Sequence, residues 1–207
     1  MWAYYGGITN AALVIWIESR GATMSEQKSN VLDVGDLAPA FSARPVFGVE
    51  VAVPPQTHPL ALFFVRHLGC PLCRKTLMEI QERFADFDRM GVKVAAVTQT
   101  SLPDAQDFVP RHHMLFPIVA DEDGRLRAQF GVGQDRLMLG TVRRLSVSSL
   151  RRVGSSLSMG HSLGVGPERQ LAAEFVIRPT GEVAYAKYGC SVTHGPDLEA
   201  MLECAMA

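Results

Sequence analysis

The chain has 207 residues, room for one α/β domain with a full core. Its 47% apolar and 20% charged residues are the balance of an ordinary globular protein. The 20 Lys and Arg against 21 Asp and Glu leave a formal charge of −1, which argues against a nucleic-acid binder held by bulk electrostatics, and four cysteines are too few for a disulfide-stapled secreted scaffold.

Residues 1–31 read as an N-terminal extension. It holds a short apolar run, residues 11–17, far below the roughly 20 residues that a membrane span needs. No Lys or Arg precedes the run, which speaks against a signal peptide. Met24-Ser25-Glu26 has the look of a natural start. The domain is expected over 32–207. Its first element is a short strand around Phe41, followed by a hairpin arm over 46–53 that Pro54-Pro55 breaks. Leu60-Ala61-Leu62-Phe63-Phe64-Val65 is apolar throughout and reads as a buried strand. From about 71 to 90 the spacing predicts one amphipathic helix, with Leu77, Ile80, Phe84 and Phe87 on its buried stripe and Gly91 just past its end.

A strand over 92–98 comes next, then a helix over 104–114 entered through Ser101-Leu102-Pro103. Residues 116–120 read as a strand, 121–124 as a turn and 126–130 as a short helix. Strands over 174–177 and 183–186 are joined by the turn Arg178-Pro179-Thr180-Gly181, and 196–205 is the closing helix. Strand–helix–strand units come first and an antiparallel pair last. That order predicts an α/β fold, a central mixed sheet with helices on both faces. The stretch 137–168, rich in Ser, Gly, Arg and Leu, fits no strand and is expected to be a partly helical insertion.

Cys70-Pro71-Leu72-Cys73 carries the chemistry. Two cysteines with two residues between them stand where a buried strand hands over to a helix. The helix N-terminus offers unpaired N–H groups and partial positive charge, and both favour the reactive thiolate. Pro71 suits the first helical position because it lacks a donor that would go unused there. Arg74 and Lys75 add to the effect if they turn toward the sulfurs. Arg66 and His67, just before the turn, are candidates to hold a thiolate or an anionic substrate group, although loop residues of this kind ordinarily lie in solvent.

Other features carry blander readings. A zinc site needs two more ligands, and no second CxxC or HxxxH exists. His112 and His113 are adjacent and point apart on a helix. Arg143-Arg144 and Arg151-Arg152 read as a solvated basic helix, and the glycine-rich 160–166 lacks the Gly-Lys-Ser/Thr of a phosphate loop. Cys190 reads as a loop thiol with an alternative as a resolving sulfur, and Cys204 as packing on the last helix.

Four motifs recur in one order: Val34-Gly35-Asp36-Leu37-Ala38-Pro39-Ala40-Phe41, Gly69-Cys70-Pro71-Leu72-Cys73-Arg74, the run from Phe116 to Gly124, and Phe175-Val176-Ile177 before Pro179-Thr180-Gly181-Glu182-Val183. Over roughly 32–204 the chain thus resembles the alkyl hydroperoxide reductase/thiol-specific antioxidant family, in particular its peroxiredoxin-like branch with a CxxC. The resemblance implies a thioredoxin fold. It also implies a thiol-dependent antioxidant enzyme that reduces peroxides through Cys70 and Cys73. In the family's register Cys73 falls on the peroxide-attacking cysteine and Cys70 on its Thr/Ser. The family's proline is Arg66 here, and its peroxide-orienting arginine is Ala172, with Arg169 close but off register. Residues 170–173 lack the proline that thioredoxins place there.

Position in the turn favours Cys70 as the more exposed, attacking sulfur; the family's register favours Cys73. The oxidised form on either reading is a Cys70–Cys73 disulfide, re-reduced by thioredoxin or a small thiol. A disulfide reductase and a non-enzymatic redox sensor are the alternatives. No metal or organic cofactor, no nucleic acid and no membrane span is expected; the location expected is cytoplasmic, and a homo-oligomer stays open.

Overall fold

Strand β3 (Leu60–Val65) is the spine of the molecule, and all six of its residues are buried. A strand buried on both faces needs a neighbour on each edge and a layer on each side, and it has both. The computed structural model describes residues 30–133, 170–189 and 195–206. The expectations for the apolar run at 11–17, the start at Met24 and the 137–168 insertion lie outside the described residues.

The chain enters with β1 (Phe41–Ala43) and β2 (Val51–Val53), a separate antiparallel pair with Phe41 opposite Val53. The predicted arm over 46–53 is therefore a strand only in its last three residues. After β3 come α1 (Pro71–Glu82), α2 (Phe84–Arg89), β4 (Lys93–Thr98), α3 (Leu102–Arg111), β5 (Ile118–Ala120) and α4 (Arg125–Gln129). β6 (Ala173–Ile177), β7 (Val183–Tyr188) and α5 (Leu198–Met206) complete the order. The main sheet runs β5-β4-β3-β6-β7. β3 pairs parallel with β4 and antiparallel with β6, so the mixed sheet read from the sequence is present.

Alternation along β3 splits the core in two. Ala61, Phe63 and Val65 face the layer that holds Leu77, Ile80, Phe87, Phe108, Met201 and Leu202. Leu60, Leu62 and Phe64 face β1, β2 and α4. The helices are thus unevenly shared. Among the described residues, α1, α2, α3 and α5 lie on one face, and the short α4 and the β1–β2 pair lie on the other. The reason is handedness: β3–α1–β4 and β4–α3–β5 step across the sheet in the same direction, so right-handed crossovers put both helices on the same side.

The single helix predicted over 71–90 is two helices. At Arg83 (φ −100°, ψ 4°) the ladder tightens, with Arg83 N–H donating to the Ile80 carbonyl, and Arg83 pairs with Asp86. The break keeps the stripe inward: Leu77, Ile80 and Phe87 are fully buried, and Phe84 reaches Phe116 with ring centroids 6.2 Å apart. Gly91 comes next at φ 68°, the left-handed position expected past a helix end. The helix predicted over 104–114 starts two residues earlier and stops at Arg111. Ser101 Oγ accepts the Asp104 N–H, which sets the start, and His113 takes φ 50° while Met114 N–H donates back to the Val109 carbonyl, which sets the stop.

On the α4 face the rings of Phe64, Phe130 and Phe175 meet with centroids 5.1–5.8 Å apart. Tyr188 stacks edge-on against Phe175, donates its hydroxyl to the Phe130 carbonyl and accepts the Leu32 N–H. This cluster ties the chain entry, α4 and β7 together. Phe130 is fully buried, so Phe130→Ala is expected to cost about 3–5 kcal/mol of unfolding free energy in urea titration. A loss under about 1 kcal/mol would mean that the ring cluster is not part of the cooperative core.

Candidate active site

The two cysteines stand at the carboxyl end of β3, in the crevice where open α/β sheets gather their sites. Cys70 is the N-cap residue of α1 (φ −83°, ψ 122°) and Pro71 occupies the first turn, as expected. The Arg74 N–H donates to the Cys70 carbonyl and begins the helical ladder. The turn before it is held by backbone at four points. Gln99 N–H donates to the Arg66 carbonyl, Cys70 N–H to the His67 carbonyl, Leu68 N–H to Thr100 Oγ1, and Arg74 Nε to the Leu68 carbonyl.

Arg66 and His67 are not solvated. They are 8% and 9% exposed, because β3 delivers them into the corner between the sheet and α1. Arg66 Nη2 donates to Cys70 Sγ at 2.6 Å. The expected contrast in exposure between the cysteines is also absent: Cys70 is 6% exposed and Cys73 5%. Both are free thiols.

Electrostatics separates the two sulfurs. The Cys70 thiol is pushed down to about 5, first by the hydrogen bond from the Cys73 thiol and then, against the opposing effect of burial, by the Arg66 charge. The N–H groups of Cys73 and Leu72 act in the same direction without closing a full capping bond. Cys73 is pushed well up, first by that same hydrogen bond, then by burial and by the negative charge on Cys70. Burial works against the charge on Arg66, but the adjoining sulfurs outweigh it and hold its guanidinium above its ordinary value. These effects favour a thiolate on Cys70, a proton on Cys73 and a charged guanidinium on Arg66.

The remaining predicted residues divide. Arg74 lies on the same turn; its guanidinium sits 5.8 Å from the Phe108 ring centre, and its Nε bond to Leu68 pins the loop. Lys75 pairs with Glu79 at 3.9 Å. Arg169 and Cys190 lie outside the described residues. Ala172 is described and comes after Leu171, and Cys204 is on α5, part-buried as packing would have it. His112 stacks on Phe108 with centroids 4.2 Å apart, away from any cluster of metal-binding side chains among the described residues.

One functional candidate is not evident from the sequence. Arg127, on the short α4, is 3% exposed and reaches the same corner from the other face of the sheet. Its Nη1 donates to the Val65 carbonyl at 3.0 Å and its Nη2 to the Leu171 carbonyl. The only hint in the sequence is an arginine flanked by the apolar pair Leu126 and Phe130, and a five-residue helix is too short for periodicity to place it.

The AhpC/TSA family matches residues 34–186. Peroxiredoxin Bcp of Xanthomonas campestris pv. campestris is 26% identical over 83 residues, which are 40% of this chain and 52% of that protein. The chain thus spans about half the length of the curated relative it matches. Among solved structures, a peroxiredoxin-like protein from Aquifex aeolicus superposes with a TM-score of 0.61 at 19% identity, over 84% of this chain and 86% of that one. A putative thiol:disulfide interchange protein DsbE from Chlorobium tepidum superposes with a TM-score of 0.56 at 20% identity, over 85% and 99%. At these identities the superpositions establish the fold, which is thioredoxin-like. The family match covers most of the chain and includes both cysteines, Arg66 and Arg127, and the chain belongs to the AhpC/TSA family.

Proposed function

We propose that this protein is a thiol-dependent oxidoreductase that reduces peroxides, with Cys70 as the attacking sulfur and Cys73 as the resolving one. The observation that carries the reading is the Arg66 guanidinium on Cys70 Sγ. A thiolate at about 5 is almost fully formed at neutral pH, and a fixed cation beside it also favours the negative charge that develops on the departing oxygen.

The Cys70 thiolate attacks one peroxide oxygen. The O–O bond breaks, the far oxygen leaves with its electron pair, and Cys70 becomes a sulfenic acid. Cys70 has then lost its charge, and with it go the main causes that held Cys73 protonated. The proton that Cys73 gives up balances the one the leaving oxygen takes. The Cys73 thiolate next bonds to the Cys70 sulfur and expels hydroxide, which closes a Cys70–Cys73 disulfide. An external dithiol or small thiol, of the thioredoxin or glutathione class, restores both thiols by two exchange steps.

A protein-disulfide reductase is the second reading, because a thiolate N-cap with a buried resolving thiol three residues on also suits exchange. Burial argues against it. A sulfur on a residue only 6% exposed admits a small peroxide more readily than the disulfide of a folded partner.

The reduced protein should consume hydrogen peroxide or an organic hydroperoxide in stopped flow. Cys73→Ser should stop after one equivalent with a sulfenic acid that mass spectrometry detects on Cys70, while Cys70→Ser should consume none. The opposite pattern in the two variants would exchange the roles, and no consumption by either variant or the parent would move the assignment to disulfide exchange. Arg66→Met should raise the Cys70 titration, monitored by thiolate absorbance, by about one to three pH units. The sign is set by the charge: without the guanidinium the thiolate is less favoured, so more hydroxide is needed to form it. For the parent, the second-order rate with peroxide should be flat at neutral pH and fall as pH drops through about 5. A profile rising only above pH 8 would contradict a pre-formed thiolate.

A further inference from the structure

Four hydrogen bonds hold the redox turn, and they differ in what a substitution can change. Two run from backbone to backbone, Gln99 N–H to the Arg66 carbonyl at 3.0 Å and Cys70 N–H to the His67 carbonyl at 3.2 Å. A third comes from a charged side chain, Arg74 Nε donating to the Leu68 carbonyl at 2.7 Å. The fourth ends on a neutral side chain: Leu68 N–H donates to Thr100 Oγ1 at 3.1 Å.

The place of that fourth bond follows from the sheet. β3 and β4 run parallel and end level, with Val65 opposite Thr98. The Gln99–Arg66 bond carries their backbone pairing one step further. At the following step the donor meets a hydroxyl instead of a carbonyl. Thr100 N–H turns back to the Thr98 carbonyl, and the Thr98 and Thr100 hydroxyls lie 3.1 Å apart. Thr98 is fully buried and Leu68 is 3% exposed, so water is a poor substitute there. A buried N–H that loses its acceptor must either move or stay unpaired, and both are costly.

The turn so held carries Arg66 at one end and Cys70 at the other, and Arg66 Nη2 donates to Cys70 Sγ at 2.6 Å. Such a contact weakens steeply with distance and angle, and Leu68 stands midway between its two partners. The titratable groups that face Cys70 are Arg66 from the turn and Cys73 from α1. Thr100 carries no charge, so it reaches the sulfur only through the geometry of the turn. We propose that Thr100 is a positioning residue for the attacking sulfur: its hydroxyl holds the Leu68 N–H and so keeps the Arg66 guanidinium on Cys70. The proposal rests on the reading of Cys70 as the attacking thiolate.

Titration of Cys70 by thiolate absorbance tests this without any peroxide, in a Cys190→Ser/Cys204→Ser background. Thr100→Val keeps the shape and removes the acceptor; Thr100→Ser keeps the acceptor. Thr98→Val takes a hydroxyl from the same pair but leaves Leu68 its partner, and so controls for a general loosening of the loop. Thr100→Val should raise the Cys70 midpoint by about one pH unit, while Thr100→Ser and Thr98→Val should stay within about 0.3 of the parent. The sign follows from the charge, because a guanidinium held less closely favours the thiolate less. From a parent midpoint of about 5, that shift lowers the thiolate fraction, and with it the peroxide rate, about threefold at about pH 5.5. Thr100→Ala carries the same expectation as Thr100→Val. An unmoved midpoint in Thr100→Val, an equal rise in Thr98→Val, or a rise in Thr100→Ser as large as in Thr100→Val would overturn the proposal. Failure of both Thr100→Val and Thr100→Ala to fold would assign Thr100 to the scaffold and overturn it likewise. A parent midpoint at the ordinary thiol value would instead overturn Cys70 as the thiolate. A low parent midpoint without peroxide consumption would overturn the peroxidase reading and leave the role of Thr100 standing.

Discussion

A buried guanidinium against a buried thiolate is the contact on which the corner depends. Neither ion is stable there alone, since taking a lone charge out of water costs far more than most packing gains offset. The two sulfurs together hold the Arg66 guanidinium above its ordinary value against burial, and the Cys73 thiol, Arg66 and the first N–H groups of α1 together push the Cys70 thiol down. The hydrogen bonds that hold Arg66 to Gln99 and Leu68 to the Thr100 and Arg74 side chains are what maintain that arrangement. On the proposed reading, loss of the thiolate to oxidation changes the surroundings of Arg66 and Cys73 together.

The sheet makes this arrangement available. β3 ends under the turn with every residue buried, so Arg66 and His67, next in the chain, are delivered into the interior rather than to solvent. The antiparallel β6 brings Leu171 alongside, and α4, on the opposite face, sends Arg127 across to both. Two arginines far apart in the chain thus come to the end of β3, Arg66 on the Cys70 sulfur and Arg127 on the Val65 and Leu171 carbonyls. The same aromatic cluster that seats α4, through Phe130 and Tyr188, therefore also seats the second cation.

Much of this was legible in the residues. The all-apolar run 60–65 announced a buried strand, the turn at 178–181 announced the hairpin of β6 and β7, and Pro71 announced the first turn of α1. The break at Arg83 was not, because the stripe of Leu77, Ile80, Phe84 and Phe87 continues through it and periodicity does not register one tightened turn. The burial of Arg66 and His67 was not legible either. A charged residue after a strand is ordinarily solvated, and only a countercharge brought near by the fold reverses that.

The sequence by itself determined most of the elements, their order and the placing of a CxxC where β3 hands over to α1, because those are set by local periodicity, turn chemistry and spacing. The tertiary structure alone decided that both cysteines are buried and that the Arg66 guanidinium meets Cys70. Those depend on the distance between residues 66 and 70 and on the exclusion of water from the space around them, and neither quantity exists until β3 and α1 are packed.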